Sequence, residues 1–92
     1  MKIHKNIRVE GKVQGVWYRD STRKKANLLG LAGTVINLPD GAVSIEVEGC
    51  DEAIINEFME WLYEGPENAE VTRVVVEDGD WEGMDGFEIL KG

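Results

Sequence analysis

The chain has 92 residues, 42% hydrophobic and 30% charged, enough for one domain around one modest core. No apolar run approaches the roughly 18–20 residues of a membrane span, and the polar start M-K-I-H-K-N-I-R-V-E leaves no room for a signal-peptide core. A net charge of −8 argues against general nucleic-acid binding, whose affinity comes largely from phosphate neutralisation.

The charge is unevenly spread. Residues 1–33 hold eight Lys/Arg against two acids, and residues 34–92 hold two Lys/Arg against sixteen acids. An anion site therefore belongs at the front, while most of the later acids serve solubility. Cys50 stands alone in the sequence and has no intramolecular disulfide partner. That fits a reducing compartment, so a cytoplasmic location is expected.

Residues 4–13 read as a strand, with Ile7 and Val9 on one face and Arg8 and Glu10 on the other. From Arg19 to Leu29 the pattern turns helical: Tyr18, Thr22, Ala26 and Leu29 share a face, Arg23, Lys24 and Lys25 take the wet side, and Gly30 ends the helix. A second strand, Ala32–Leu38, meets the turn Pro39-Asp40-Gly41, and Ala42–Glu48 returns as the other arm of a hairpin. Asp51 is the expected N-cap of a second helix, whose stripe of Ile54, Ile55, Phe58, Trp61 and Leu62 is core. Gly65-Pro66 stops it. A strand at Val71–Glu77, a loop at Asp78–Gly86 and a short strand at Phe87–Leu90 complete the chain.

This order is that of an α+β, ferredoxin-like β-α-β-β-α-β sandwich spanning residues 1–92 as one domain. Right-handed crossovers and one hairpin predict an antiparallel sheet in the order 4-1-3-2, plus the short C-terminal strand, with both helices on one face. The first strand is then central, and the loop leaving it is braced on both sides.

That loop lies in Val9–Arg19, V-E-G-K-V-Q-G-V-W-Y-R, where Gly11 and Gly15 precede an arginine at a helix start. Glycine lets successive backbone N–H groups converge, and the first N–H groups of a helix have no intrahelical partners. Arg19 adds a planar, permanently charged fork suited to phosphate oxygens. The alternative is an ordinary strand-to-helix loop carrying a surface arginine.

Val9–Arg19 closely resembles the first signature of the acylphosphatase family: a hydrophobic residue, x-G-x-V-Q-G-V-x, an aromatic or Met, then Arg. Gly33–Val43, G-T-V-I-N-L-P-D-G-A-V, is similar to the second signature, with its Asn and its downstream Gly-x-Val. The resemblance covers essentially the whole chain. It implies hydrolysis of the carboxyl–phosphate bond of acyl phosphates to a carboxylate and inorganic phosphate. Carried over by position, Arg19 binds phosphate, the loop Gln14, Gly15, Val16, Trp17 and Tyr18 is the backbone cradle, and Asn37 orients the attacking water. Thr34 stands where the family usually has an aromatic and is expected to loosen packing near Asn37. Ile36 and Tyr18 also depart from the commoner residues, without removing a functional group.

Such chemistry needs few side chains. The leaving carboxylate is already a stable anion, so the demand is for positioning and electrostatic stabilisation of the phosphoryl group. An Asn amide has an acceptor and two donor protons with which to hold a water. No metal, cofactor or covalent enzyme intermediate is expected. His4 reads as a surface residue and Cys50 as a small packed one. Trp17 either walls a pocket for the acyl group or packs in the core.

The expected partners are a small acyl phosphate and product phosphate, with no nucleic acid and no membrane, and the expected state is a monomer. The competing reading is a non-catalytic ferredoxin-like binding or regulatory module. Such domains are often fused to larger enzymes, whereas this chain starts at Met1 and ends soon after its last strand. An RNA-binding sheet would need stacking aromatics where the central strands offer Ile7, Val9, Ile45 and Val47.

Overall fold

Alternating burial along the extended segments, and burial at helical spacing between them, divide the computed structural model into seven elements; residues 1–91 are described. They are β1 (Ile3–Lys12), α1 (Tyr18–Leu28), β2 (Ala32–Asn37), β3 (Val43–Gly49), α2 (Glu52–Glu64), β4 (Glu70–Asp78) and β5 (Phe87–Leu90). The strands form one sheet in the order β4-β1-β3-β2-β5.

The first four strands pair antiparallel in the expected order, with Ile7 opposite Ile45 and Val35 opposite the same residue from the other side. β5 adds a parallel edge beside β2, so the sheet as a whole is mixed. The direction follows from the path of the chain. After β4 the loop 79–86 crosses from one edge of the sheet to the other, and β5 then runs beside β2 in the same direction. This places Ile89 opposite Val35 and Leu90 opposite Ile36.

Ile7, Val9, Val35, Val43, Ile45 and Val47 are buried on the face that the helices cover. α1 packs on β2 and β5, and α2 packs on β3 and β4. Tyr18, Thr22 and Ala26 are the buried residues of α1; Ile55, Phe58 and Leu62 are those of α2. Phe58 and Phe87 meet edge to face at 6.1 Å. Asp51 caps α2 as its sequence position predicts, accepting from the Ala53 N–H at 2.9 Å and the Ile54 N–H at 3.4 Å. A cap of this kind contributes about 1 kcal/mol.

Several expectations for single residues are corrected. His4 is buried, because the loop after β4 folds over the outer face of the sheet at the start of β1. Its Nδ1–H donates to Glu48 Oε2 at 2.6 Å, and Glu48, also buried, accepts the Glu82 N–H at 2.6 Å and the Met84 N–H at 2.7 Å. Cys50 is exposed in the turn between β3 and α2 rather than packed. Thr34 lies on the face of β2 opposite to Val35 and Asn37, since strand side chains alternate. It therefore does not pack beside Asn37. Gly11, inside the strand expected over residues 4–13, is found in β1. It sits at a register shift with φ 124, and a Cβ there would meet the Glu70 carbonyl oxygen at 2.1 Å.

Candidate active site

β1 and β2 run in the same direction on either side of β3, so the loop after β1 and the end of β2 lie at one end of the sheet. Here the two sequence signatures meet. Arg19 and Asn37, eighteen positions apart, line one cleft of about 470 Å³ with Gly15, Trp17, Tyr18 and Asp20. Val13 and Ile89 supply further apolar wall. A smaller cleft of about 380 Å³ lies at the other end of β1, around Lys2, His4, Lys5 and Asp78, and contains neither residue.

The loop is shaped by two left-handed residues. Gly15 has φ 74 and Trp17 has φ 64 with ψ 20. Left-handed residues in such turns let backbone N–H groups face a common point. Val16 between them is buried and anchors the loop in the core. Trp17 stands at the N-cap of α1 but makes no side-chain cap, so the first turn of the helix keeps its N–H groups free of side-chain acceptors there. Those N–H groups and the helix dipole favour an anion at this end.

Arg19 has no carboxylate partner among the described residues; its guanidinium makes one long contact, from Nη1 to the Leu90 carbonyl at 3.5 Å. Asp20, the acid in the cleft lining, is instead paired with Arg23 at 3.3 Å and Lys24 at 3.1 Å along α1. The negative charge at the mouth is thereby offset while the Arg19 charge stays available.

Asn37 ends β2 on the helix-facing side. Its Oδ1 is buried yet has no hydrogen-bond partner among the described residues. An unsatisfied buried acceptor costs about 1–3 kcal/mol, and such atoms are uncommon enough to call for an explanation. Thr22 Oγ1 is in the same condition, but within the packing of α1 and away from the cleft lining.

The remaining loop residues divide by role. The side chain of Gln14 turns away from any anion and donates from Nε2 to the Leu38 and Ala42 carbonyls, both at 2.9 Å. It ties the loop to the hairpin that carries Asn37. Tyr18 is the first residue of α1, and its ring is buried with the hydroxyl donating to the Leu62 carbonyl at 2.7 Å. Burial holds that phenol well above its ordinary pKa, so it stays protonated. Trp17 is 78% exposed, which removes the core alternative for it.

Two contributors, Ile89 and the Leu90 carbonyl, were not visible as site residues in the sequence, and neither was the crosslinking role of Gln14, which was expected in the cradle. Ile89 and the Leu90 carbonyl arrive through the parallel pairing of β5, which no local pattern announces. The Gln14 crosslink depends on a hairpin twenty-four residues away. At the far end of the sheet, ligand atoms of His4, Glu46 and Glu82 come within 4.8 Å of one another, a grouping without any sequence spacing. It includes His4 of the His4–Glu48 pair, and none of its three residues lines the Arg19 cleft.

Comparison with known proteins gives the family and the fold. The acylphosphatase family model matches residues 5–89. The chain is 47% identical over 83 residues to an acylphosphatase from Acaryochloris marina, covering 90% of this chain and 88% of that one. It superposes on the structure of an acylphosphatase from Coxiella burnetii with a TM-score of 0.92 at 39% identity, covering 97% and 93% of the two chains. The acylphosphatase from Bacillus subtilis gives the same TM-score at 35% identity over 98% and 99%. The chain belongs to the acylphosphatase family, whose members are enzymes that hydrolyse acyl phosphates.

Proposed function

We propose that Arg19 and the backbone of residues 14–18 hold the phosphoryl group while Asn37 orients a water for in-line attack. The observation that carries this reading is the buried, unpartnered Asn37 Oδ1 in the same cleft as an Arg19 with no carboxylate partner. An acceptor kept free at that depth suits a water O–H, leaving the oxygen lone pair to point at phosphorus.

In this scheme the water oxygen bonds to phosphorus. The bridging P–O bond breaks, and its electron pair leaves with the carboxylate. Both water protons end on the phosphate product. Asn37 neither accepts nor gives a proton, since an amide is no base near neutral pH. Arg19 and the N–H groups offset charge on the equatorial oxygens throughout.

The working unit in this proposal is a single chain. A reducing compartment suits it, with Cys50 exposed and no second cysteine in the sequence. The test is hydrolysis of a simple acyl phosphate in the presence of a chelator by wild type, Arg19→Ala and Asn37→Ala, with phosphate as inhibitor. Arg19→Ala should lose both turnover and inhibition by phosphate. Undiminished inhibition in that variant would overturn the assignment of Arg19.

A further inference from the structure

We propose that His4, Glu46 and Glu82 bind one zinc ion on the outer face of the sheet, clipping the loop 79–86 to β1 and β3, with Glu48 orienting the histidine. The site stands apart from the reaction, since none of its three residues lines the Arg19 cleft.

The three residues come from three segments. On the outer face of the sheet His4 lies directly opposite Glu48, and Asn6 directly opposite Glu46, so His4 and Glu46 are diagonal neighbours. Glu82 belongs to the loop that folds over them. One ligand atom from each residue lies within 4.8 Å of the other two, and His4 Nε2 is 3.9 Å from Glu82 Oε2. Ligand atoms about 2.0–2.1 Å from a tetrahedral zinc ion stand roughly 3.3 Å apart. The Glu82 side chain is 58% exposed and has room to close the difference.

Glu48 is not a ligand, because both of its oxygens are already engaged. Oε2 accepts the His4 Nδ1–H and the Glu82 N–H, each at 2.6 Å, and Oε1 accepts the Met84 N–H at 2.7 Å. A carboxylate that takes one ring N–H of a histidine fixes the ring and leaves the other nitrogen to the metal. The same carboxylate anchors the backbone that carries Glu82. His4 is buried, so its Nε2 keeps a set direction. Asn6 Oδ1 stands 3.2 Å from that nitrogen and accepts its proton; the ion takes the proton's place, the proton leaves to solvent, and the Asn6 amide turns aside.

Charge points the same way. Among the described residues no lysine or arginine pairs with Glu46, Glu48 or Glu82. One imidazole therefore faces three carboxylates, a surplus that a divalent cation offsets. An imidazole nitrogen with two carboxylates suits zinc, with water in the fourth position, whereas magnesium and calcium prefer oxygen ligands alone.

The site is tested by calorimetric titration of chelator-stripped protein with Zn²⁺ and, separately, Mg²⁺. All proteins carry Cys50→Ser, because an exposed thiol binds zinc by itself. The parent should take up one Zn²⁺ per chain and no Mg²⁺. Glu46→Gln and Glu82→Gln should each weaken Zn²⁺ binding about tenfold or more, and Glu48→Gln, which touches no metal, by about 10–100-fold. Circular dichroism confirms the fold, and Glu82→Gln, at an exposed side chain, keeps the test open if the others unfold. Absence of Zn²⁺ binding by the folded parent, or unchanged affinity in folded Glu82→Gln, would overturn the site.

Discussion

Gln14 Nε2 donates to the Leu38 carbonyl at 2.9 Å, linking the loop that leads to Arg19 with the residue directly after Asn37. The same nitrogen donates to the Ala42 carbonyl, and the Leu38 N–H donates to that carbonyl as well, at 2.8 Å. One side chain therefore sets the distance between the two halves of the cleft.

Gln14→Ala should separate those halves without dismantling the core. Two hydrogen bonds of this kind contribute about 1–3 kcal/mol together. Turnover should fall about tenfold or more, because a small misplacement of positioned groups is costly in rate. Urea unfolding and steady-state kinetics on the same variant check both. Turnover at the wild-type rate would show that the crosslink does not position the site.

Gly11 and Gly15, both in the first signature, should respond differently to alanine. At Gly15 a Cβ meets nothing within 4 Å, but φ 74 is strained for alanine. The expected cost is about 1 kcal/mol of stability, with weakened inhibition by phosphate as the loop relaxes. At Gly11 a Cβ would run into the Glu70 carbonyl, so β4 must move away from β1. Gly11→Ala should destabilise by more than Gly15→Ala in thermal unfolding.

The His4–Glu48 pair makes stability depend on pH. Burial alone would lower the His4 pKa, but the hydrogen bonds that its ring N–H groups donate to Glu48 and Asn6, and the charges of Glu48 and Glu46, raise it above the ordinary 6.5. Burial would raise that of Glu48, and the Glu82 N–H, His4 and the Met84 N–H together hold it below the ordinary 4.5. His4 therefore contributes fully below pH 6.5, and its contribution fades as pH rises through the raised value. Glu48 contributes fully above pH 4.5, and its contribution fades as pH falls through the lowered value. The urea midpoint should be highest between pH 4.5 and 6.5 as far as this pair is concerned. Glu48→Gln should lower it and flatten the decline above pH 6.5; an unchanged slope would mean that another group controls that limb.

The sequence revealed most where a signal was local. The alternation of Val43, Ile45 and Val47, the stripe of Ile55, Phe58 and Leu62, and the Asp51 cap each report on their own element, and all were found in place. Arg19 and Asn37 were legible because both stand within contiguous signatures. The rest required the chain to return on itself. His4 and Glu48 read as polar positions of outward faces until the loop 79–86 covers them. Ile89 becomes a cleft residue through a parallel edge that follows from the path of that same loop. Trp17 could not be assigned by pattern, since a ring that lines a cleft and a ring in the core look alike in sequence. Its left-handed backbone and its exposure separate them.

The central claim is that Asn37 acts on water and not on phosphate. Its most direct test is Asn37→Ala, with kcat for an acyl phosphate and the inhibition constant of inorganic phosphate measured on the same preparation. The account predicts that kcat falls by about 10²–10³ while phosphate inhibits as it does in wild type. A near wild-type kcat, or loss of phosphate inhibition in step with kcat, would contradict it.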